Sequence, residues 1–317
     1  MSKRRVVILG GAGYIGRTLL DLYLRQGYGA PGAREDVEVV LVDRRLCLST
    51  LKAVQEGGVG WSYVQADIGD MDVMRRLVVD QPPDIVYLLA GRIEAETSSE
   101  RAKEMWLENY DKAAAIMELC QPETTLFFPS SANVFGGNSD FRDKVFSEEE
   151  QPQPMFAYAL TKAAMESLLA DWGGNYVVAR LGTNHGWAPG IRWNLVVNRF
   201  SMMAKQGRRL GIYGDGETYR PYVHNVDCAR AVKFLCERDD TKRTVYHVVA
   251  ENATVNEVAD TVVKRIALVP RRHEAYRPGF ASYKMSSQRL LDLGFKFSWD
   301  LDSSVGDMAS NLEGLSV

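Results

Sequence analysis

The chain has 317 residues, of which 46% are hydrophobic and 25% charged, and its net charge is −3. That is room for one large α/β domain, or one such domain with a smaller partner, in a soluble globular protein. The charge gives no sign of a nucleic-acid surface and leaves any anionic substrate to a local basic site.

The four cysteines, Cys47, Cys120, Cys228 and Cys236, form no CxxC pair and have no histidine cluster near them. They read as small buried hydrophobes in a reducing compartment, and no metal site is expected. The basic start, Ser2-Lys3-Arg4-Arg5, is followed only by Val6 to Leu9 before glycine. That run is too short for a signal peptide and reads as a strand. No apolar stretch approaches a membrane span, so a cytoplasmic location without membrane contact is expected.

In chain order, Arg5 to Leu9 is a first strand and Tyr14 to Gln26 a helix, with Ile15, Leu19, Leu22 and Tyr23 at helical spacing. After a Gly/Pro-rich loop, Val37 to Val42 is an almost wholly apolar strand, as in a parallel sheet covered on both faces. Trp61 to Gln65 is a third strand, Met71 to Val79 a helix stopped by Pro82-Pro83, and Ile85 to Leu89 a fourth strand. A long helix from Ser99 to Cys120, a strand from Thr125 to Phe128, a helix from Ala159 to Trp172 and a strand from Tyr176 to Ala179 follow. This alternation predicts a doubly wound parallel α/β sheet over residues 1–180. Beyond Arg180 the pattern is irregular, with helices near 195–205, 225–237 and 255–266 and short strands near 210–213 and 222–223. Residues 181–317 are expected to form a smaller substrate lobe, interleaved with the first domain.

Three groups of residues carry chemistry. Gly10-Gly11-Ala12-Gly13-Tyr14-Ile15-Gly16 lies between a strand and a helix, where glycines let the backbone approach a pyrophosphate and the helix start offers free N–H groups. Asp43 ends the second strand. A carboxylate there accepts adenosine ribose hydroxyls and repels a 2′-phosphate, which favours NAD over NADP; Arg44 and Arg45 pull the other way. Read alone, Asp43 could be a turn cap, and Asp67 either a helix cap or a contact to the adenine. Second, Tyr158-Ala-Leu-Thr-Lys162 places a phenol and an ammonium on one helical face. A phenol needs to lose roughly three pKa units to serve as a base near neutrality, and a neighbouring Lys⁺ lowers it. Third, the strand end Ser130-Ser131-Ala132-Asn133-Val134-Phe135-Gly136 delivers hydroxyls to the region where doubly wound sheets bind ligands.

Together these pieces resemble the extended short-chain dehydrogenase/reductase family, the NAD-dependent epimerase/dehydratase proteins that include UDP-galactose 4-epimerase. The resemblance covers the first 180 residues and includes Leu89-Ala90-Gly91 and Asn109. It implies a Rossmann fold, NAD, and a sugar-nucleotide substrate. Ser131, Tyr158 and Lys162 would be catalytic. Gly10, Gly13, Tyr14, Ile15, Gly16, Asp43, Arg44, Asp67, Ile68, Leu89, Ala90, Gly91, Asn109, Tyr158 and Lys162 would bind the cofactor. Ser131, Asn133, Thr183, Arg192, Asn194, Asn198 and Arg220 would contact the substrate. Thr183 stands where the family usually has Asn, and Arg220 where its arginine meets the diphosphate.

The resemblance implies chemistry at C4 of the sugar, with epimerisation first and 4-dehydrogenation or 4-ketoreduction as the alternative. A non-catalytic dinucleotide sensor on the same fold is the rival of another class. Related dehydratases carry Asp-Glu after the catalytic hydroxyl residue. Here these are Ala132 and Asn133, with Glu94 and Glu96 as the remaining candidate acids. A homodimer through the 99–120 and 159–172 helices is also implied.

Overall fold

The computed structural model describes residues 4–24, 37–45, 60–93, 98–136, 141, 144–275 and 281–313. The expected 27–36 loop, Cys47, Glu94 and Glu96 lie outside them. The chain divides into two compact units. The first comprises Met1–Ser130, Phe156–Ala179 and Ala229–Val245; the second comprises Ser131–Met155, Arg180–Cys228 and Tyr246–Val317. This division places residues 131–155 with the second unit and 229–245 with the first.

The main sheet has seven strands, here numbered in chain order: β1 (Arg4–Leu9), β2 (Val37–Asp43), β3 (Gly60–Gln65), β4 (Ile85–Leu88), β5 (Thr125–Ser131), β6 (Tyr176–Leu181) and β7 (Thr244–Val248). Their spatial order is β7-β6-β5-β4-β1-β2-β3. β1 pairs in parallel with both β2 and β4, β2 with β3, and β4 with β5. The order reverses between β1 and β4, the switch point of a doubly wound sheet, where ligands bind beyond the carboxyl ends of the strands. The expected α/β class and Rossmann topology are therefore present. The seventh strand, β7, was not foreseen. It is a five-residue edge strand that follows a turn in which Arg243 adopts φ +57°.

Burial on both faces explains the apolar strands. Val7, Leu9, Val40, Val42, Val86, Leu88, Leu126, Phe128 and Val178 share one face. Helices of the first unit include α1 (Tyr14–Leu24), α2 (Met71–Val78), α3 (Ser99–Trp106), α4 (Lys112–Leu119) and α5 (Ala157–Asp171), and the helix Asn225–Cys236 enters it from Ala229. Of these, α2, α4 and α5 cover that face with Met74, Val78, Ile116, Met165 and Leu169. Each such side chain contributes about 2 kcal/mol by leaving water. On the other face Tyr87 lies 5.8 Å from Phe127, ring to ring, and its hydroxyl meets that of Tyr23 from α1 at 2.8 Å.

The single helix expected over 99–120 is α3 and α4 joined by a π-helical segment, Leu107–Asp111. Single π turns inside helices are frequent at functional sites.

In the second unit, helices Val196–Lys205, Val255–Arg265 and Leu301–Glu313 enclose a core that includes Phe200, Tyr222, Val258, Val262 and Val305. A three-stranded sheet orders Glu251–Thr254, Tyr219–His224 and Thr183–His185. Thr254 and Glu257 form a reciprocal cap at the start of the helix that follows. Asp227 accepts the N–H groups of Ser298 and Trp299 at 2.6 and 2.9 Å, and the Trp299 ring stacks on His224 at 4.4 Å.

His185, His224 and His247 are buried in this unit. Burial pulls His185 down to about 3, His224 to about 4 and His247 to about 3. The unfolded chain takes up these three protons below about pH 6.5, whereas the folded chain resists them. Their stabilising effect is thus complete above that value and is lost as the pH falls toward 4. Each is expected to cost about 1.4 kcal/mol of stability per pH unit in that window. Urea unfolding at pH 7, 6 and 5 checks this, and a flat stability over that range would contradict the neutral burial of the three rings.

Candidate functional site

The Gly-rich turn is stitched from three sides. Gly10 and Gly11 donate to the Val42 carbonyl at 2.8 and 3.1 Å, and Gly13 donates to Gly10 at 3.0 Å. Gly10 has φ +89°, and a Cβ on it would sit 2.5 Å from the Ala90 nitrogen. A Cβ on Gly16 would sit 2.6 Å from the Gly10 carbonyl oxygen. Only glycine fits these positions. α1 then starts at Tyr14 with its first N–H groups lacking intrahelical acceptors, as at every helix start, and with no acidic residue in the first turn.

Asp43 is buried. Its Oδ2 accepts the N–H of Ala12 at 3.0 Å and its Oδ1 that of Arg45 at 3.0 Å. It thereby braces the Gly-rich turn. Two carboxylate oxygens carry about four acceptor sites, so capacity for ribose hydroxyls is left.

Beside the turn lies a cavity of about 140 Å³. Its lining brings together nine of the expected cofactor residues: Gly10, Gly13, Asp43, Arg44, Asp67, Ile68, Leu89, Ala90 and Gly91. The cradle that a Cβ would fill, the open helix start and the carboxylate at the end of β2 all fit an adenine dinucleotide.

At the cavity edge the structure adds two residues that the motif reading missed, Glu108 and Lys112. Lys112 Nζ donates to Asp67 at 2.8 Å and to Glu108 at 2.6 Å. Arg44, mostly exposed, stands 3.8 Å from Asp67 and 4.0 Å from Glu108. The hydrogen bond from Lys112 is the main influence holding Asp67 below the usual carboxylate range. Burial acts to lower Lys112, but the bonds to Asp67 and Glu108 outweigh it and leave its pKa raised. The i,i+4 spacing of Glu108 and Lys112 was the available sequence signal.

Asn109, in the π segment, is buried and spans two elements. Its Oδ1 accepts the Arg92 N–H at 2.7 Å and its Nδ2 donates to the Arg92 carbonyl at 2.8 Å. Nδ2 also reaches Thr161 Oγ1 on α5 at 3.4 Å, and Thr161 Oγ1 donates to the Tyr158 carbonyl at 2.8 Å. Gly91 makes room, since a Cβ there would lie 3.0 Å from Asn109 Oδ1. Tyr158 and Lys162 are both buried on α5. Lys162 Nζ sits 4.5 Å from the Phe128 ring centroid and 5.8 Å from that of Tyr158. Burial, opposed by Glu166, pulls Lys162 down to about 7.

The expected substrate residues lie in the second unit. Ser131 Oγ accepts the Asn133 N–H at 3.2 Å, capping a short 3-10 turn, Ala132–Phe135. Asn133 is exposed, and its Oδ1 accepts from Tyr283, a residue the sequence reading missed, at 3.4 Å. Arg220 lies over the Tyr283 ring at 5.2 Å, so Asn133 and Arg220 meet one buried tyrosine. Thr183 is half-buried on its strand, Arg192 is half-buried, and Asn194 is exposed. Asn198 is fully buried: its Oδ1 accepts the Gly186 N–H at 3.0 Å and its Nδ2 donates to the Arg192 carbonyl at 3.1 Å. These bonds make it a scaffold of the 186–192 loop. Among the described residues no cluster of three His, Cys, Asp or Glu is placed to hold a metal ion.

The model of the NAD dependent epimerase/dehydratase family matches residues 6–249. The chain belongs to that family. A trifunctional UDP-glucose 4,6-dehydratase/UDP-4-keto-6-deoxy-D-glucose 3,5-epimerase/UDP-4-keto-L-rhamnose-reductase of Arabidopsis thaliana is 23% identical over 314 residues, covering 94% of this chain and 46% of that protein. The chain thus spans about half the length of the first curated relatives it matches. A dTDP-glucose 4,6-dehydratase of Neisseria meningitidis is 24% identical over 274 residues, 82% of this chain and 75% of that one. Among solved structures, the UDP-glucuronic acid 4-epimerase of Bacillus cereus aligns with TM-score 0.83 and 19% identity, covering 98% of this chain and 99% of that one. The UDP-glucose 4-epimerase of Thermus thermophilus, in complex with NAD, aligns with TM-score 0.80 and 22% identity over 98% and 100%. At these identities the structures establish a shared fold. The family brings NAD as the cofactor of the chain.

Proposed function

We propose that the protein oxidises a sugar carbon, C4, of a sugar nucleotide and returns the hydride to it, as an epimerase. The observation that carries this reading is the buried Tyr158–Lys162 pair, tied through Thr161 and Asn109 to the backbone that follows β4 at the cofactor cavity. Bound NAD supplies the hydride acceptor. Tyr158 takes the proton of the sugar hydroxyl, and Lys162 lowers the cost of the tyrosinate by its charge. Ser131 orients the reacting oxygen, and Arg220 binds the diphosphate with its fork of donors. Asp43 at the end of β2 would meet the adenosine ribose and repel a 2′-phosphate, which favours NAD over NADP, whereas Asp67 and Glu108 are paired with Lys112 and Arg44.

Epimerisation is preferred to dehydration because Ala132 and Asn133 follow Ser131. Alanine transfers no proton, and an asparagine amide does not titrate in the useful range. A homodimer is part of the proposal. Trp106 at the end of α3, Leu107 in the π segment and Leu160 on α5 are large hydrophobic side chains left exposed on the helices expected to pair, and a second copy would cover them. The buried thiols Cys120, Cys228 and Cys236 suit a reducing cytoplasm. Among the described residues no helix is long and apolar enough to cross a membrane.

Two outcomes follow. Tyr158→Phe is expected to keep NAD binding, read by calorimetry, and to lower turnover by about a hundredfold or more; near-normal turnover would remove Tyr158 from the chemistry. Leu160→Glu is expected to shift the sedimentation coefficient from dimer to monomer; a monomeric wild type would refute the dimer.

A further inference from the structure

Glu166 lies four residues beyond Lys162 on α5, as Lys162 lies four beyond Tyr158, so all three share one helical face. All three are buried. Glu166 Oε1 accepts the hydroxyl proton of Ser130 in β5, which fixes the carboxylate against the helix face. A buried ammonium is costly unless it is compensated. The groups packed against this face from β5 are Phe128, beneath the ammonium, and Ser130, both uncharged. The π segment brings the uncharged Asn109 to α5, and the charged residues of α3, which also packs on α5, namely Glu100, Arg101, Lys103 and Glu104, are exposed. On α5 itself the titratable neighbours are Tyr158 and Glu166, and Glu166 supplies the opposite charge that acts on Lys162.

We propose that Glu166 is a positioning residue: it keeps the Lys162 ammonium charged, and through that charge it keeps Tyr158 able to release its proton. The proposal rests on the reading of Tyr158 as the base. Two effects oppose each other when the carboxylate is removed. Its direct repulsion of tyrosinate disappears, but it lies about 12 Å along the helix from Tyr158, whereas Lys162 lies about 6 Å away. Burial already brings Lys162 down to about 7, so loss of Glu166 shifts it further toward the neutral amine. Tyr158 then loses the nearer charge, and that loss wins.

The test is an ultraviolet titration of tyrosinate in the NAD-loaded protein, with Tyr158→Phe subtracted to isolate Tyr158. Glu166→Gln keeps the acceptor for Ser130 and removes only the charge. It is expected to raise the Tyr158 pKa by about one unit, whereas Glu166→Asp stays within about a third of a unit of wild type. Should the glutamine variant not fold, Ser130→Ala loosens the carboxylate and is expected to raise the Tyr158 pKa by about half a unit. An unmoved titration in glutamine, or in Ser130→Ala where that stands in, overturns the proposal. So does an aspartate shift as large as that of glutamine, which would show packing at work. A wild-type value near the ordinary phenol pKa of about 10 overturns the reading of Tyr158 itself, and the proposal with it.

Discussion

The site depends on a backbone pinch at the carboxyl ends of β1 and β4. The Leu9 carbonyl accepts the N–H groups of both Leu89 and Ala90 at 2.8 Å, which draws the segment after β4 onto the Gly-rich turn. The closeness of that approach makes Gly10 obligatory, because both its positive φ and the position of Ala90 forbid a side chain. Leu89, Ala90 and Gly91 consequently line the cavity beside that turn. Asn109 holds this arrangement by bonding both the backbone N–H and the backbone carbonyl of Arg92. The part of the cavity wall formed by the 89–91 segment is thus braced by one amide, and the π turn that carries Asn109 is part of its construction.

Two lysines of the first unit show how burial and partners compete. Lys112 meets two carboxylates within 2.8 Å, and their pull exceeds the cost of desolvation, so its pKa is raised. Lys162 is more deeply enclosed, with an aromatic ring beneath it and one carboxylate a helical turn away, and burial wins, bringing it to about 7. The first is a stable charge at the edge of the cavity. The second sits near its own titration point, where small changes in surroundings alter its charge, a property suited to tuning a neighbouring phenol.

The Gly-rich turn, Asp43, the 89–91 segment, Tyr158 and Lys162 stood out in the sequence because they keep fixed local spacing beside a strand or helix end. β1, β2, β4, β5 and β6 were legible because two-sided burial makes them almost continuously apolar. Partners set by tertiary packing were not legible. Tyr283 meets Asn133 across 150 positions of chain, with no periodic signal. Glu166 stands at helical spacing from Lys162, but its bond to Ser130 requires β5 and α5 to be packed together. β7 is too short and too mixed in polarity to announce itself, and the helix Leu301–Glu313 has a weak apolar stripe whose burial comes from the core it completes. Asn198 followed a family-like segment, and its bonds to the backbone of its own loop again depend on packing.

The proposed activity is reversible oxidation at a sugar carbon. The most direct measurement incubates the NAD-loaded protein with UDP-, dTDP-, GDP- and CDP-sugars, following the absorbance of reduced nicotinamide and the mass of each product. Reduced nicotinamide is expected to appear transiently with one class of sugar nucleotide, together with a product of unchanged mass. A product lighter by one water molecule would contradict it, as would the absence of reduced nicotinamide with every sugar nucleotide.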